Sequence, residues 1–179
     1  PQIFQQIDDI CASHGVLAGG LSSYVVRSGQ IDMAKLVAET LLDEKILVVE
    51  AGTGTGKTLA YLVPGIIWSC SNDTRLVIST NTINLQDQIW NNDIPMLQRL
   101  LPYEFSAVRL KGRSNYLCLR KWMSGWQLTL GDEMGHELYD RLEGWVHSTE
   151  TGDKSELNLS SLEDTVWQKY SADDYSCHG

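Results

Sequence analysis

Lys57 and Thr58 follow three alternating glycines, Gly52, Gly54 and Gly56, in the run "VVEAGTGTGKTLAY". Glycines so spaced let the backbone turn tightly enough for successive amide hydrogens to face one centre, an anion nest at a helix N-terminus. A lysine beside such a nest brings a point charge to the β- and γ-phosphates of a nucleotide, and the hydroxyl after it can bind Mg²⁺. The usual phosphate-loop pattern has glycine at the position of Ala51. That position only turns the chain out of a strand, so alanine serves there if its φ is negative. The predicted phosphate site is therefore Ala51, Gly52, Thr53, Gly54, Thr55, Gly56, Lys57 and Thr58. Alone, it implies a purine nucleotide with Mg²⁺ and leaves open what the energy drives.

Such a loop must leave a strand and enter a helix. "ILVVE" at 46–50 is a β-branched run bounded by polar residues and glycines, suited to a buried parallel strand, and "RLVIST" at 75–80 is a second. Residues 57–70 between them have the length of a crossover helix, which predicts one βαβ unit. Upstream, Phe4, Ile7, Ile10 and Cys11, then Ile31, Ala34, Leu36, Val37, Leu41 and Leu42, recur at helical spacing on either side of a Gly- and Ser-rich stretch at 15–23. Downstream, helices are predicted from Thr82 to about Trp90 and over 92–101, with Pro95 tolerated in a first turn. "FSAV" at 105–108 is a candidate third strand. After Lys111 the alternation fades into scattered tryptophans among polar residues, which predicts an inserted module.

The composition, 42% hydrophobic and 21% charged over 179 residues, is that of a globular protein. The longest apolar stretch, Leu59 to Trp68, is half a membrane span and contains Pro64 and Gly65, so no transmembrane helix is predicted. The N-terminus lacks a secretory pattern, which predicts a cytoplasmic chain. Four separated cysteines, at 11, 70, 118 and 177, argue against a disulfide framework. The net charge of −9 lies in the tail: residues 1–130 hold eleven acidic and eleven basic side chains, residues 131–179 twelve and three. Five basic residues between Arg109 and Lys121, with Tyr116 and Trp122, form a run that could track a phosphodiester backbone and stack bases. A start at Pro1 and a stop after "DDYSCHG" predict a piece of a longer protein.

Several segments together resemble the N-terminal part of DinG-type DNA helicases, relatives of the XPD-like iron–sulfur superfamily-two helicases. They are "YVVRSGQ" (24–30), "EAGTGTGKTLAYLVPGI" (50–66), "VISTNTINLQDQI" (77–89), "NNDIPMLQRLLP" (91–102) and "KGRSNYLCLRKW" (111–122), with "SADDYSCHG" more weakly. Phosphate loops of that family commonly begin with alanine. The resemblance implies an α/β fold: a RecA-like P-loop NTPase motor domain, a parallel sheet flanked by helices, over 1–109, with a mostly helical iron–sulfur-type insertion over 110–179.

By the same resemblance Arg27 and Gln30 match an adenine-recognition element. A glutamine carries both a donor and an acceptor for the edge of adenine, the alternative being a solvent-facing residue at a helix start. Thr80, Asn81 and Gln86 match a loop that touches the DNA backbone, where short polar groups position without reading sequence. Capping of the following helix by Ser79, Thr80 or Thr82 is the competing use. Cys118 and Cys177 match the first two of four ligands to a [4Fe–4S] cluster.

Two look-alikes are set aside. "LTLGDEM" at 128–134 imitates an acidic helicase box, but Gly131 breaks its apolar run, and Asp132 reads as a helix cap. "HELYD" at 136–140 places His136 and Asp140 one turn apart on what reads as an exposed helix face. The implied function is an ATP-dependent DNA helicase, with Lys57 and Thr58 catalytic and Thr58 on Mg²⁺. It would move 5′ to 3′ along single-stranded or forked DNA as a monomeric bacterial motor without membrane attachment. The segment itself would be inactive alone. The alternative is a stand-alone ATP-binding regulatory module without hydrolysis.

Overall fold

A computed structural model describes residues 2–125 and 133–173 of the chain. The chain divides into two compact units, Pro1–Arg109 and Leu110–Gly179.

In the first unit, α1 (Gln2–Cys11) buries Ile3, Ile7, Ile10 and Cys11, one face at helical spacing. A short α2 (Val16–Gly20) forms within the Gly- and Ser-rich stretch and buries Leu17. Helix α3 (Ser28–Leu42) buries Gln30, Ala34 and Ala38. The two alanines, one turn apart, leave room for α4 (Lys57–Asn72) to pack along it. Leu62, Val63, Pro64, Gly65, Ile66 and Ile67 of α4 are all buried, so this helix is covered on nearly every side and is the centre of the unit. Each such aliphatic side chain contributes about 1.5–3 kcal/mol.

The segment 83–100 is one continuous rod: α5 (Ile83–Gln88), a π-helical turn (Ile89–Asp93) and α6 (Ile94–Leu100). The wide turn has a local cause. Pro95 has no N–H for the carbonyl four residues back, and its ring crowds that carbonyl. The Ile94 amide instead donates to Ile89, five residues back.

No strand forms among the described residues beyond two isolated bridges. The runs read as strands, 46–50, 75–80 and 105–108, carry neither helix nor ladder. Ile46, Val48, Val77 and Val108 are 86–95% exposed, the opposite of buried parallel strands. The parallel sheet expected from the sequence is thus not present here. A ladder needs a neighbouring backbone at about 4.8 Å, and strands joined by a crossover helix need not be neighbours of each other. The second run does pack on α4: a Cβ on Gly65 would lie 2.6 Å from the Leu76 side chain, so glycine permits that approach.

The second unit contains α7 (Leu119–Gly125), α8 (Glu133–Val146) and α9 (Ser161–Trp167). Its core joins Leu138, Leu142, Leu157, Val166, Trp167 and Tyr170, with Trp122 stacked on Tyr139 at 4.3 Å and Trp145 edge-on to Trp167 at 6.1 Å. Trp122, Trp145 and Trp167, scattered in sequence, therefore meet in one aromatic core. Helix α9 begins with a reciprocal capping box between Ser160 and Glu163. Segment 116–118 lies between two others: Leu117 N–H donates to Gly152, Cys118 N–H to Tyr170, and Ala172 N–H to Tyr116, each at 2.9 Å.

Candidate nucleotide and DNA site

The glycine loop meets α4 as the chemistry requires. Gly54 and Gly56 have φ of +78° and +80°, the left-handed region where a side chain is strained, and Gly56 is the N-cap of α4. Ala51 is not among the residues with positive φ, so its methyl meets no backbone penalty. Gly52, Thr53 and Gly54 are open to solvent. Thr55 Oγ1 donates to the Gly52 carbonyl at 3.0 Å, tightening the turn. Lys57 Nζ donates to the carbonyls of Ala51 at 2.8 Å and Gly52 at 2.7 Å, so its charge is folded onto the mouth of the loop. Thr58 lies in the first turn of α4, and its side chain faces the Tyr61 phenol, whose pKa is raised chiefly by burial. Left-handed glycines, a cation on the loop and a helix N-terminus make a cradle that fits a polyphosphate, with the Thr58 hydroxyl available to a divalent cation.

Arg27 and Gln30 part company. Arg27 is exposed at the N-cap of α3, its guanidinium 3.5 Å from the Val25 carbonyl. Gln30 is 2% exposed and does not face solvent. Its Nε2 donates to the Gly56 carbonyl at 3.0 Å and its Oε1 accepts from the Tyr24 hydroxyl at 3.1 Å. The resemblance implies an adenine-recognition role for this residue, and no sequence signal pointed to its contact with the glycine loop.

The polar turn after the second run caps a helix. Thr82 Oγ1 accepts from the Leu85 amide at 3.2 Å as N-cap of α5, while Thr80 Oγ1 donates to the Thr82 carbonyl at 3.2 Å. Asn81 is exposed and Gln86 half-buried. Of the possible cappers it is thus Thr82 that is committed, which leaves the Asn81 side chain presented to solvent.

The basic run does not form an open patch. Arg109 pairs with Asp87 at 2.8 Å and lies 5.5 Å over the Trp90 ring. Lys111 is buried against Asp153 at 2.9 Å, and Lys121 binds Asp173 at 2.5 Å and the Ser171 carbonyl at 2.8 Å. Arg109, Lys111 and Lys121 are thus engaged within the protein. Sequence could not show this, because the acids that neutralise the run are distant in the chain.

Cys118 is buried, and Cys11 is buried at the end of α1. Cys177 and Asp132 lie outside the described residues, as does the side chain of His136; Asp140 is exposed on α8. Among the described residues no group of three His, Cys, Asp or Glu side chains could hold a metal ion. Nor is any helix of the described residues long and apolar enough to cross a membrane.

The sequence pattern of DEAD/DEAH box helicases matches residues 32–127, more than half of the chain and the whole phosphate loop. The chain belongs to the DEAD/DEAH box helicase family. Its similarity within that family is to DinG-type proteins. It is 34% identical over 175 residues to the ATP-dependent DNA helicase YoaA of Haemophilus influenzae, covering 97% of this chain and 27% of that protein. It is 35% identical to the ATP-dependent DNA helicase DinG of Photobacterium profundum, over 95% of this chain and 27% of the relative. With the ATP-dependent helicase DinG of Mycobacterium tuberculosis it shares 38% identity over 86% and 26%. The chain thus spans about a quarter of the length of these helicases. Membership implies a RecA-like motor fold.

Proposed function

We propose that the chain is the nucleotide-binding part of an ATP-dependent DNA helicase, its first unit belonging to the motor and its second being the insertion. One observation carries the reading: a glycine loop with two left-handed glycines, capped onto α4, with Lys57 held at its mouth. Backbone amides of residues 52–58 would cradle the phosphates of ATP, Lys57 would neutralise charge developing on the transferred phosphoryl group, and Thr58 would hold Mg²⁺. A divalent cation held by Thr58 would supply neutralising charge to the phosphates. Thr80, Asn81 and Gln86 are assigned to the phosphodiester backbone of single-stranded or forked DNA. Movement 5′ to 3′ by a monomer follows the DinG resemblance. That resemblance also gives Cys118 and Cys177 to an iron–sulfur cluster in the whole protein.

The test is ATP turnover by the whole protein with and without single-stranded DNA, alongside unwinding of duplexes with 5′ or 3′ tails. DNA-stimulated turnover with unwinding from the 5′ tail is the expected result. ATP binding without hydrolysis would instead identify a regulatory module.

A further inference from the structure

The Thr58 hydroxyl has one proton and two lone pairs. To offer a lone pair to a divalent cation at the loop it must send its proton elsewhere, and Tyr61, one turn along α4, supplies the acceptor: Thr58 hydrogen-bonds to its phenol. Side chains of a helix lean toward its N-terminus, which brings Tyr61 back over the first turn. The phenol cannot donate to Thr58 and accept from it along one line, so its own proton needs another acceptor.

Asp93 meets that need. It ends the π-helical turn, which packs against α4. Gln88 hydrogen-bonds its carboxylate, yet Oδ2 is buried with no hydrogen-bond partner among the described residues. A buried acceptor left without a donor is costly, and in a native fold it has a reason. Burial first, and then the Asp93 charge, raises the Tyr61 phenol above its ordinary 10.0, so the two groups feel each other although no hydrogen bond joins them. A carboxylate beside a rotating phenol draws the phenol proton to itself and leaves the lone pairs for another donor.

We propose that Tyr61 and Asp93 are positioning residues for the cation ligand Thr58: Asp93 draws the Tyr61 proton, Tyr61 accepts the Thr58 proton, and the Thr58 lone pairs are left to the cation. This rests on the reading of the loop as an ATP site with Thr58 on Mg²⁺. It also gives the wide turn before Pro95 a use, since Asp93 sits in that turn.

The experiment titrates the whole protein with ATP by calorimetry, once with Mg²⁺ and once with EDTA; the ratio of the two affinities reports the cation. Tyr61→Phe and Asp93→Asn keep the shape of the side chains and so spare the packing. Tyr61→Phe is expected to lower the ratio about tenfold, the scale of one hydrogen bond, and Asp93→Asn by less. Affinity in EDTA should stay at the wild-type value for both. The double variant should match Tyr61→Phe, because Asp93 acts through the phenol. Equal weakening with and without Mg²⁺ would reduce both residues to packing and overturn the proposal. So would an unchanged ratio, or a further loss on adding Asp93→Asn to Tyr61→Phe, which would mean that the carboxylate acts on the cation directly. Wild-type protein that binds ATP without regard to Mg²⁺ would overturn it too and leave the ATP site standing. Wild-type protein that binds ATP under neither condition would refute the site itself.

Discussion

Lys57 Nζ lies 2.8 Å from the carbonyl oxygen of Ala51, the residue that replaces the usual first glycine of the loop. The lysine thus closes a ring across the loop, in which the alanine takes part through its backbone alone. A methyl at 51 does not disturb that ring, since φ there is not positive. Lys57→Ala in the whole protein is expected to lower DNA-stimulated ATP turnover by at least about a hundredfold, the scale for deleting one preorganised charge-stabilising donor. Steady-state phosphate release measures it, and near-normal turnover would remove Lys57 from the mechanism.

The glycines of the loop are not equivalent. Gly56→Ala would combine a φ of +80° with a Cβ 2.2 Å from the buried Gln30 amide, whereas a Cβ on Gly52 meets nothing within 4 Å. The left-handed backbone alone costs roughly 1–2 kcal/mol, and Gln30 has no room to retreat. Gly52→Ala should leave stability within about 0.5 kcal/mol of wild type. Urea unfolding of the two variants side by side should show a large loss for Gly56→Ala only; equal losses would mean that the Gln30 contact is unimportant.

How much of this was legible follows from what each feature depends on. The loop, α1, α3, α4 and the helical rod around Pro95 rest on local signals: glycine spacing, apolar periodicity and a proline. The π-turn did not announce itself, because Pro95 was compatible with a first turn and only the continuous rod demanded a wide one. The β-branched runs were read as buried parallel strands and form none among the described residues: ladders are non-local, and nothing in 46–50 or 75–80 says which backbone lies beside it. The tryptophan core of the second unit was missed although Leu138, Leu142 and Trp145 follow helical spacing, because polar residues between them diluted the pattern. Gln30 was singled out by resemblance alone, and its bond to Gly56, 26 residues away, is visible only in the structure.

Cys11 and Tyr24 predict an alkaline limit to stability. Burial foremost, then the Asp8 charge, pushes the Cys11 thiol from its ordinary 9.0 up to about 11, against a lowering by its hydrogen bond with Tyr24. Burial foremost pushes Tyr24 from 10.0 to about 12. Both are acids whose neutral form the fold prefers, so their stabilisation is complete below pH 9.0 and is lost as pH rises through about 11 and then about 12. Urea midpoints measured across that range should fall, and Cys11→Ala should flatten the first part of the fall. The exposed Cys70 should be alkylated by iodoacetamide ahead of buried Cys11, as peptide mapping would report.

The second unit carries its own acid limit in the Lys111–Asp153 pair, whose side chains are 3% and 4% exposed. Burial alone would raise the Asp153 carboxyl, but the hydrogen bonds from Lys111 and from Ser155 outweigh it and hold the group below its ordinary 3.8. The stabilisation is therefore present above pH 3.8 and is lost as pH falls through the lowered value. Lys111→Met would strand a buried carboxylate at a cost of about 3–5 kcal/mol, whereas Lys111→Met with Asp153→Leu removes both charges and should recover most of it. The deficit of the single variant should narrow as the pH drops and Asp153 takes up its proton. Fluorescence of Trp145 and Trp167, which meet edge-on in the same core, follows the unfolding. A single variant as stable as wild type at pH 7 would show the pair to be solvated and this limit to lie elsewhere.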